Sequence, residues 1–289
     1  MPSWNIHTAH VEHLLSEFGA PALGIQDPNA FLFGNMVPDI YVGYMVPDVS
    51  FKIRYRTTHF AEPSFIPSPH FDYYAAIYVD GRAATDMELG AWTHLVADNV
   101  YNTMTREYIA SVGVAPGEKT RVRKQGDFDL FGHTLNLTRT CQLNDALIDE
   151  AARFSEYPIA EEDVRKTVAV ARGIVEDTVL HHVSGTPDYS LLTPEFFAHA
   201  FDRVNRICAA GLLAHARMGT TAAGVASLVP DFRTLTAQEA LVAVAEAERR
   251  GAASDARAAA EGHPVPFSDE VVPVTISIPA TLAWRAHNR

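Results

Sequence analysis

Histidine and aspartate four residues apart, in the stretch GAWTHLVADNVYN at 90–102, are the residues here whose types and spacing could do chemistry. His94 and Asp98 share one face if the segment is helical. Trp92, Leu95, Val96, Val100 and Tyr101 leave that helix almost without a polar face, so it belongs inside the protein. A carboxylate buried beside an imidazole must be compensated by a metal ion, an ion pair or a hydrogen-bond network. The helix alone leaves metal ligation and a structural His–Asp hydrogen bond equally open.

Other residues of the same types precede it. His7 stands in the apolar stripe formed by Trp4, Val11, Leu14 and Phe18 at helical steps, whereas His10 and His13 fall off that stripe and read as polar-face residues. Met-Val-Pro-Asp occurs twice, at 36–39 and 45–48, so Asp39 and Asp48 have the same local sequence. Proline stiffens the backbone before each carboxylate. Loop aspartates are most often turn formers, and Asp48 is read as one. His59 follows in RYRTTHF.

The elements that must position these residues are helical. A first helix ends at Gly19-Ala20-Pro21, residues 26–50 read as a short helix followed by loops, and 51–70, with three prolines, as irregular. Phe71–Val79 is a short helix or strand. Thr85-Asp-Met-Glu88 is a capping-box pattern and opens a helix toward residue 110. Further helices are expected at 118–136, 142–155, 160–181, 193–217 and 235–260, and VVPVTISIPA near the end reads as an extended segment. The expectation is an all-α, multi-helix domain over 1–262 with a packed extended tail over 263–289.

Composition narrows the function classes. A formal net charge of −12 over 289 residues argues against a general nucleic-acid binder, which needs a positive face. Cys141 and Cys208 are far apart, so neither a disulfide framework nor a cysteine zinc site is expected. Neither a leader pattern nor a membrane-spanning apolar run stands out, and a cytoplasmic location is the expectation. Thirteen histidines make that residue type the outlier.

Taken in order, IHTAHVEHLL, FLFGNMVPDI, RTTHF and GAWTHLVADNVYN resemble the zinc-dependent phospholipase C family, related to S1/P1-type nucleases, over about the first third of the chain. The resemblance implies the helical fold of that family and points to His7, Asp39, His59, His94 and Asp98 as ligands of one or two zinc ions. It selects Asp39 over Asp48, because the family pattern Gly-x-x-x-Pro-Asp finds its glycine, Gly34, only before the first copy. It further implies a water activated by the metals as nucleophile on a small phosphoester, with Asp98 placed to bridge two ions and Asp39 to take a proton.

The sequence departs from the family pattern in two places. Trp4 follows Met-Pro-Ser and so does not supply a terminal amine, and residues 103–118 contain no histidine. Asp127, Asp129 and His133, or His181-His182, are the candidates to complete a second site, each more often structural. His199, among aromatics, reads as core packing, and the basic run Lys119, Arg121, Arg123, Lys124 as a solvated face that could instead clamp a phosphate. A phosphoester hydrolase is the leading expectation; a non-catalytic metal-binding protein of the same fold and a nuclease are the alternatives. Oligomeric state and substrate identity are not legible.

Overall fold

The computed structural model describes residues 2–61, 65–75, 79 and 81–218, and all regular structure among them is helical. Its axis is the helix the capping box foretells. Glu88 N–H donates to Thr85 Oγ1 (3.3 Å) and Thr85 N–H to Glu88 Oε2 (2.8 Å), which starts α6 (Asp86–Ser111). Arg82 and Ser155 both donate to the otherwise buried Glu88 carboxylate, so the cap is tied into the surrounding chain.

Helix α2 (Pro28–Gly34) begins with Asp27 accepting from the amides of Asn29 and Ala30, and with proline where no amide is needed. It crosses α6 with the two backbones in contact. A Cβ on Gly34 would lie 2.1 Å from the Met87 carbonyl oxygen, and one on Gly90 2.1 Å from that of Phe31. Glycine at both positions is what allows the crossing. Gly34 therefore serves this approach, and the Asp39 turn inherits its position from it.

Helix α1 (Trp4–Phe18) contacts α2, α7 (Glu118–His133), α9 (Glu161–Leu180) and α10 (Pro194–Met218). With neighbours on several sides it buries more than one stripe, and this corrects the placement of His10. His10 is fully buried, stacks on Phe201 (ring centroids 4.4 Å apart) and pairs through Nδ1 with Asn205 Oδ1 at 2.8 Å. Burial pushes its pKa down to about 3, so it sits there neutral. His13 is exposed. Helix α10 approaches α6 at Gly211, where a Cβ would meet the Trp92 ring at 2.2 Å. Trp4, Phe31, Phe33, Tyr41, Trp92, Tyr101, Phe128 and Tyr157 are the large side chains of one continuous core.

Two four-residue helices, α3 (Val37–Ile40) and α4 (Tyr55–Thr58), lie in the segments expected to be loops or irregular, while α5 (Phe71–Tyr74) begins where a short helix or strand is expected. Helix α8 (Asp145–Ala151) is shorter than the expected 142–155, starting where the Asn144 side chain accepts from Leu147 N–H. His199 is exposed rather than core, because Phe196, Phe197 and Ala200 of α10 take the inward positions. No helix among the described residues is long and apolar enough to cross a membrane. The expected helix at 235–260 and the tail at 263–289 lie outside the described residues.

Candidate metal centre

His94 and Asp98 project from the middle of α6, and three other elements converge on them. His7 comes from α1, Asp39 from α3, and His59 caps the end of α4. All five residues singled out in the sequence thus meet. His7 stacks flat on His94, with centroids 4.0 Å apart and planes within 5°. The nitrogens and oxygens of His7, His94 and Asp98 lie close enough together to hold a metal ion, and so do those of Asp39, His59 and His94.

The tautomers follow from the partners. His94 Nδ1 is 2.8 Å from the Asn35 carbonyl, which can only accept, so Nδ1 carries the hydrogen and Nε2 a lone pair. His59 Nδ1 faces the Tyr55 carbonyl (3.2 Å) and Thr58 Oγ1 (2.8 Å), and Thr58 gives its own hydrogen to that carbonyl. His59 Nε2 is left with a lone pair as well. The two Nε2 atoms are 3.1 Å apart. Two lone pairs at that distance repel unless a cation lies between them. His7 sharpens the point, since it is fully buried and neither of its ring nitrogens has a hydrogen-bond partner. A buried donor or acceptor left unsatisfied is costly, and native proteins rarely tolerate it without a reason.

The carboxylates complete the arrangement. His59 Nε2 is 3.4 Å from Asp39 Oδ1 and 3.6 Å from Asp98 Oδ2, and His7 Nε2 is 3.6 Å from Asp98 Oδ1. Burial works against ionising Asp98, but the facing imidazoles His7, His94 and His59 outweigh it and hold the carboxyl below its usual range. Asp39 moves the same way: burial opposes its charge, and His94 and His59 favour it more. Burial, reinforced by His7, pushes His94 down to about 3, which keeps it neutral with its lone pair available. The three histidines are 0% exposed and Asp98 1%, while Asp39 is 13% exposed. The cluster therefore reaches solvent on the Asp39 side.

Residues not singled out as site residues in the sequence hold these groups in place. The Trp4 indole donates to Asp39 Oδ2 (2.9 Å), and the Tyr55 hydroxyl donates to Asp98 Oδ2 (2.9 Å) while its ring stacks on His59 at 3.9 Å. The Asn35 carbonyl that orients His94 is main chain and could not be read from residue type. Tyr55, four residues before His59, carried a spacing cue that could have been used.

The other candidates do not join the centre. The Asp127 carboxylate accepts from the amides of Ser190, Leu191 and Leu192, each at 2.7 Å, and so fastens α7 to the chain leading into α10. His133 and His181 both face Asp177, at 3.7 and 2.8 Å, where the ends of α7 and α9 meet. Asp129 and His182 are exposed. In the basic run Lys119 and Arg121 are exposed, but Lys124 is half-buried. Searched against family models, curated proteins and solved structures, the chain matches none.

Proposed function

We propose that this chain is a zinc-dependent hydrolase of a small phosphoester, with a centre of the phospholipase C and P1 nuclease kind. The observation that carries the proposal is the pair of Nε2 lone pairs at 3.1 Å, beside a buried His7 with two unpartnered nitrogens. Imidazole and carboxylate without thiolate are the donors of catalytic rather than structural zinc. For tetrahedral Zn–N bonds of about 2.0–2.1 Å, two ligand nitrogens sit about 3.3 Å apart, close to the separation here. The carbonyl partners of His94 and His59 are the outer contacts that fix metal-ligating imidazoles in other sites.

Bound there, zinc would supply a Lewis acid for a phosphoryl oxygen and lower the pKa of water toward neutrality. The chain's own residues supply the rest. Asp39, on the open side, is placed to hold and accept a proton from an incoming water, and Trp4 fixes its orientation through Oδ2. Asp98, deeper and facing His7, His59 and Tyr55, would be a ligand of the metal. The burial of the three histidines keeps competing water out, which strengthens every charge interaction in the site.

The test is metal analysis of protein purified without chelator, followed by hydrolysis of bis-p-nitrophenyl phosphate before chelation, after it, and after zinc is restored. At least one zinc per chain and zinc-restored turnover are expected. A metal content near zero, with no rise in melting temperature on adding zinc, would overturn the proposal.

A further inference from the structure

Away from the centre, the ends of α7 and α9 bring a second set of imidazole and carboxylate groups together. His133 is the last residue of α7, His181 caps the end of α9, and Asp177 lies one turn before His181. Each histidine faces a different oxygen of the one carboxylate. His181 Nδ1 is 2.8 Å from Oδ1, and His133 Nε2 is 3.7 Å from Oδ2. The second distance is too long for a hydrogen bond. Nδ1 of His133 is buried without a hydrogen-bond partner, so neither edge of that ring is satisfied within the protein. The same gapped pairing occurs in the centre, where His59 and His7 face Asp39 and Asp98 at 3.4 and 3.6 Å. Two donors that share a tetrahedral zinc stand about 3.3 Å apart, so a gap of this kind suits an ion better than a direct contact.

The surroundings favour a cation as well. The last carbonyls of a helix carry partial negative charge, and two helix C-termini meet here, joined by the Val183 N–H donating to the His133 carbonyl at 2.9 Å. The place is open to solvent, with Asp177 58%, His181 61% and His133 18% exposed. We propose that His133, Asp177 and His181 form a second metal site, for a divalent transition ion such as zinc, which clamps the end of α7 to the end of α9. It is separate from the centre described above and does not depend on the hydrolase reading. His133 ligates through Nε2 and Asp177 through its carboxylate. The His181 ring, now 6.3 Å from that of His133 between centroids, swings toward it and ligates through Nδ1, its hydrogen moving to the solvent-facing Nε2. Water takes the remaining position. Imidazole beside carboxylate selects zinc, nickel or copper over calcium and magnesium. The clamp would pin the start of the chain leading into α10, whose far end Asp127 already holds through the amides of Ser190, Leu191 and Leu192.

Zinc is the probe, titrated by calorimetry into the chelated full chain for wild type, His133→Gln, Asp177→Asn, His181→Gln and the control His199→Gln, which removes another exposed histidine. Wild type should bind one zinc per chain more than His133→Gln, whatever number the centre takes. In Asp177→Asn and His181→Gln the extra step should be lost or weakened by at least about tenfold, and His199→Gln should keep it. The chelated proteins should melt alike, which shows that the variants fold. Added zinc should then raise Tm further in wild type than in His133→Gln, because an ion stabilises the folded chain that binds it. The count separates the two readings. A zinc step that depends on His133 in a chain whose centre stays empty would support the clamp while the hydrolase reading falls. Equal zinc binding by wild type and His133→Gln, or an equal loss in His199→Gln, would overturn the clamp and leave the centre untouched.

Discussion

Met36–Asp39 turns through a short helix at the foot of α2 and carries its carboxylate to the Trp4 indole and the His59 ring, whereas Met45–Asp48 runs through an exposed turn. In the second copy Val46 is buried, Asp48 adopts φ +52°, and the Asp48 carbonyl accepts from Lys166 Nζ at 2.5 Å. Two residues on, Ser50 donates its amide to Asp163 at the start of α9 (3.2 Å), which fastens the loop to that helix. Four identical residues thus do different work, and their flanks decide which. Gly34 lets α2 touch α6, and Asn35 gives its carbonyl to His94 and its side-chain amide to the Gly90 carbonyl. The first copy is thereby held over the face of α6 that bears His94 and Asp98. The second has no such anchor, and its aspartate takes the left-handed conformation that Asp tolerates better than most residues. A tetrapeptide specifies a turn; the helices on either side specify what it faces.

If that contrast is chemical, metal binding should separate the variants. The largest effect is expected for Asp98→Asn, because Asp98 faces His7 and His59 and receives the Tyr55 hydroxyl, so its charge acts on every part of the cluster. Changes in the outer contacts of metal sites alone cost about 10–100-fold in affinity, and losing a ligand's charge should cost more. Zinc per chain and competition with a chromogenic chelator measure it. Full zinc retention by Asp98→Asn would make the His94/Asp98 pair structural. Asp39→Asn should come next, losing at least about tenfold in zinc affinity while the fold persists, since Trp4 can still donate to the remaining carbonyl oxygen. An Asp39→Asn protein with wild-type zinc content would show that the first copy is as passive as the second.

Much of this was legible beforehand, for identifiable reasons. The long helices were readable because periodicity and caps act locally, as Thr85/Glu88 show for α6. The His94/Asp98 pair was readable because both residues lie on one element. That His7, Asp39 and His59 meet it rests on how α1, α3 and α4 pack, which the residues alone left open and only the family resemblance supplied. His10 was misplaced because a stripe argument assumes one buried face, and α1 is covered by several neighbours. The orienting carbonyls of Asn35 and Tyr55 were invisible, since main-chain acceptors leave no mark on residue type. The same holds for Gly34: the glycine was visible, but that it faces the Met87 carbonyl was not.

Gly34 gives the next test, one step from the chemistry. A methyl at 2.1 Å from the Met87 carbonyl must push α2 away from α6, because neither backbone has room to yield locally. Overpacking of this kind typically costs about 1–3 kcal/mol. For a chain of this size Gly34→Ala should lower Tm by about 2–4 °C per kcal/mol. The displacement should also loosen Asp39, so zinc affinity should fall with stability. A Gly34→Ala protein with unchanged Tm and zinc affinity would mean that the helix crossing does not position the first copy.

The smallest effect is expected at the second copy, where the comparison is most exposed to failure. Asp48→Asn makes the same chemical change as Asp39→Asn within the same tetrapeptide, so local propensity largely cancels between them. Asn adopts positive φ as readily as Asp, and the contact with Lys166 runs through the main-chain carbonyl, which the substitution keeps. Lys166 also has Glu162 beside it at 2.6 Å, so losing the Asp48 charge leaves the lysine paired. Stability should therefore change by less than about 0.5 kcal/mol, with zinc content untouched. Asp48→Ala separates conformation from charge. Alanine lacks the short polar side chain that eases the left-handed region, so holding φ at +52° should cost about 1 kcal/mol, again without loss of metal. The expected order in Tm is wild type equal to Asp48→Asn, then Asp48→Ala, with one zinc content across all three. A drop in zinc for either Asp48 variant would tie the second copy to the centre, and the difference between the two tetrapeptides would then be one of degree.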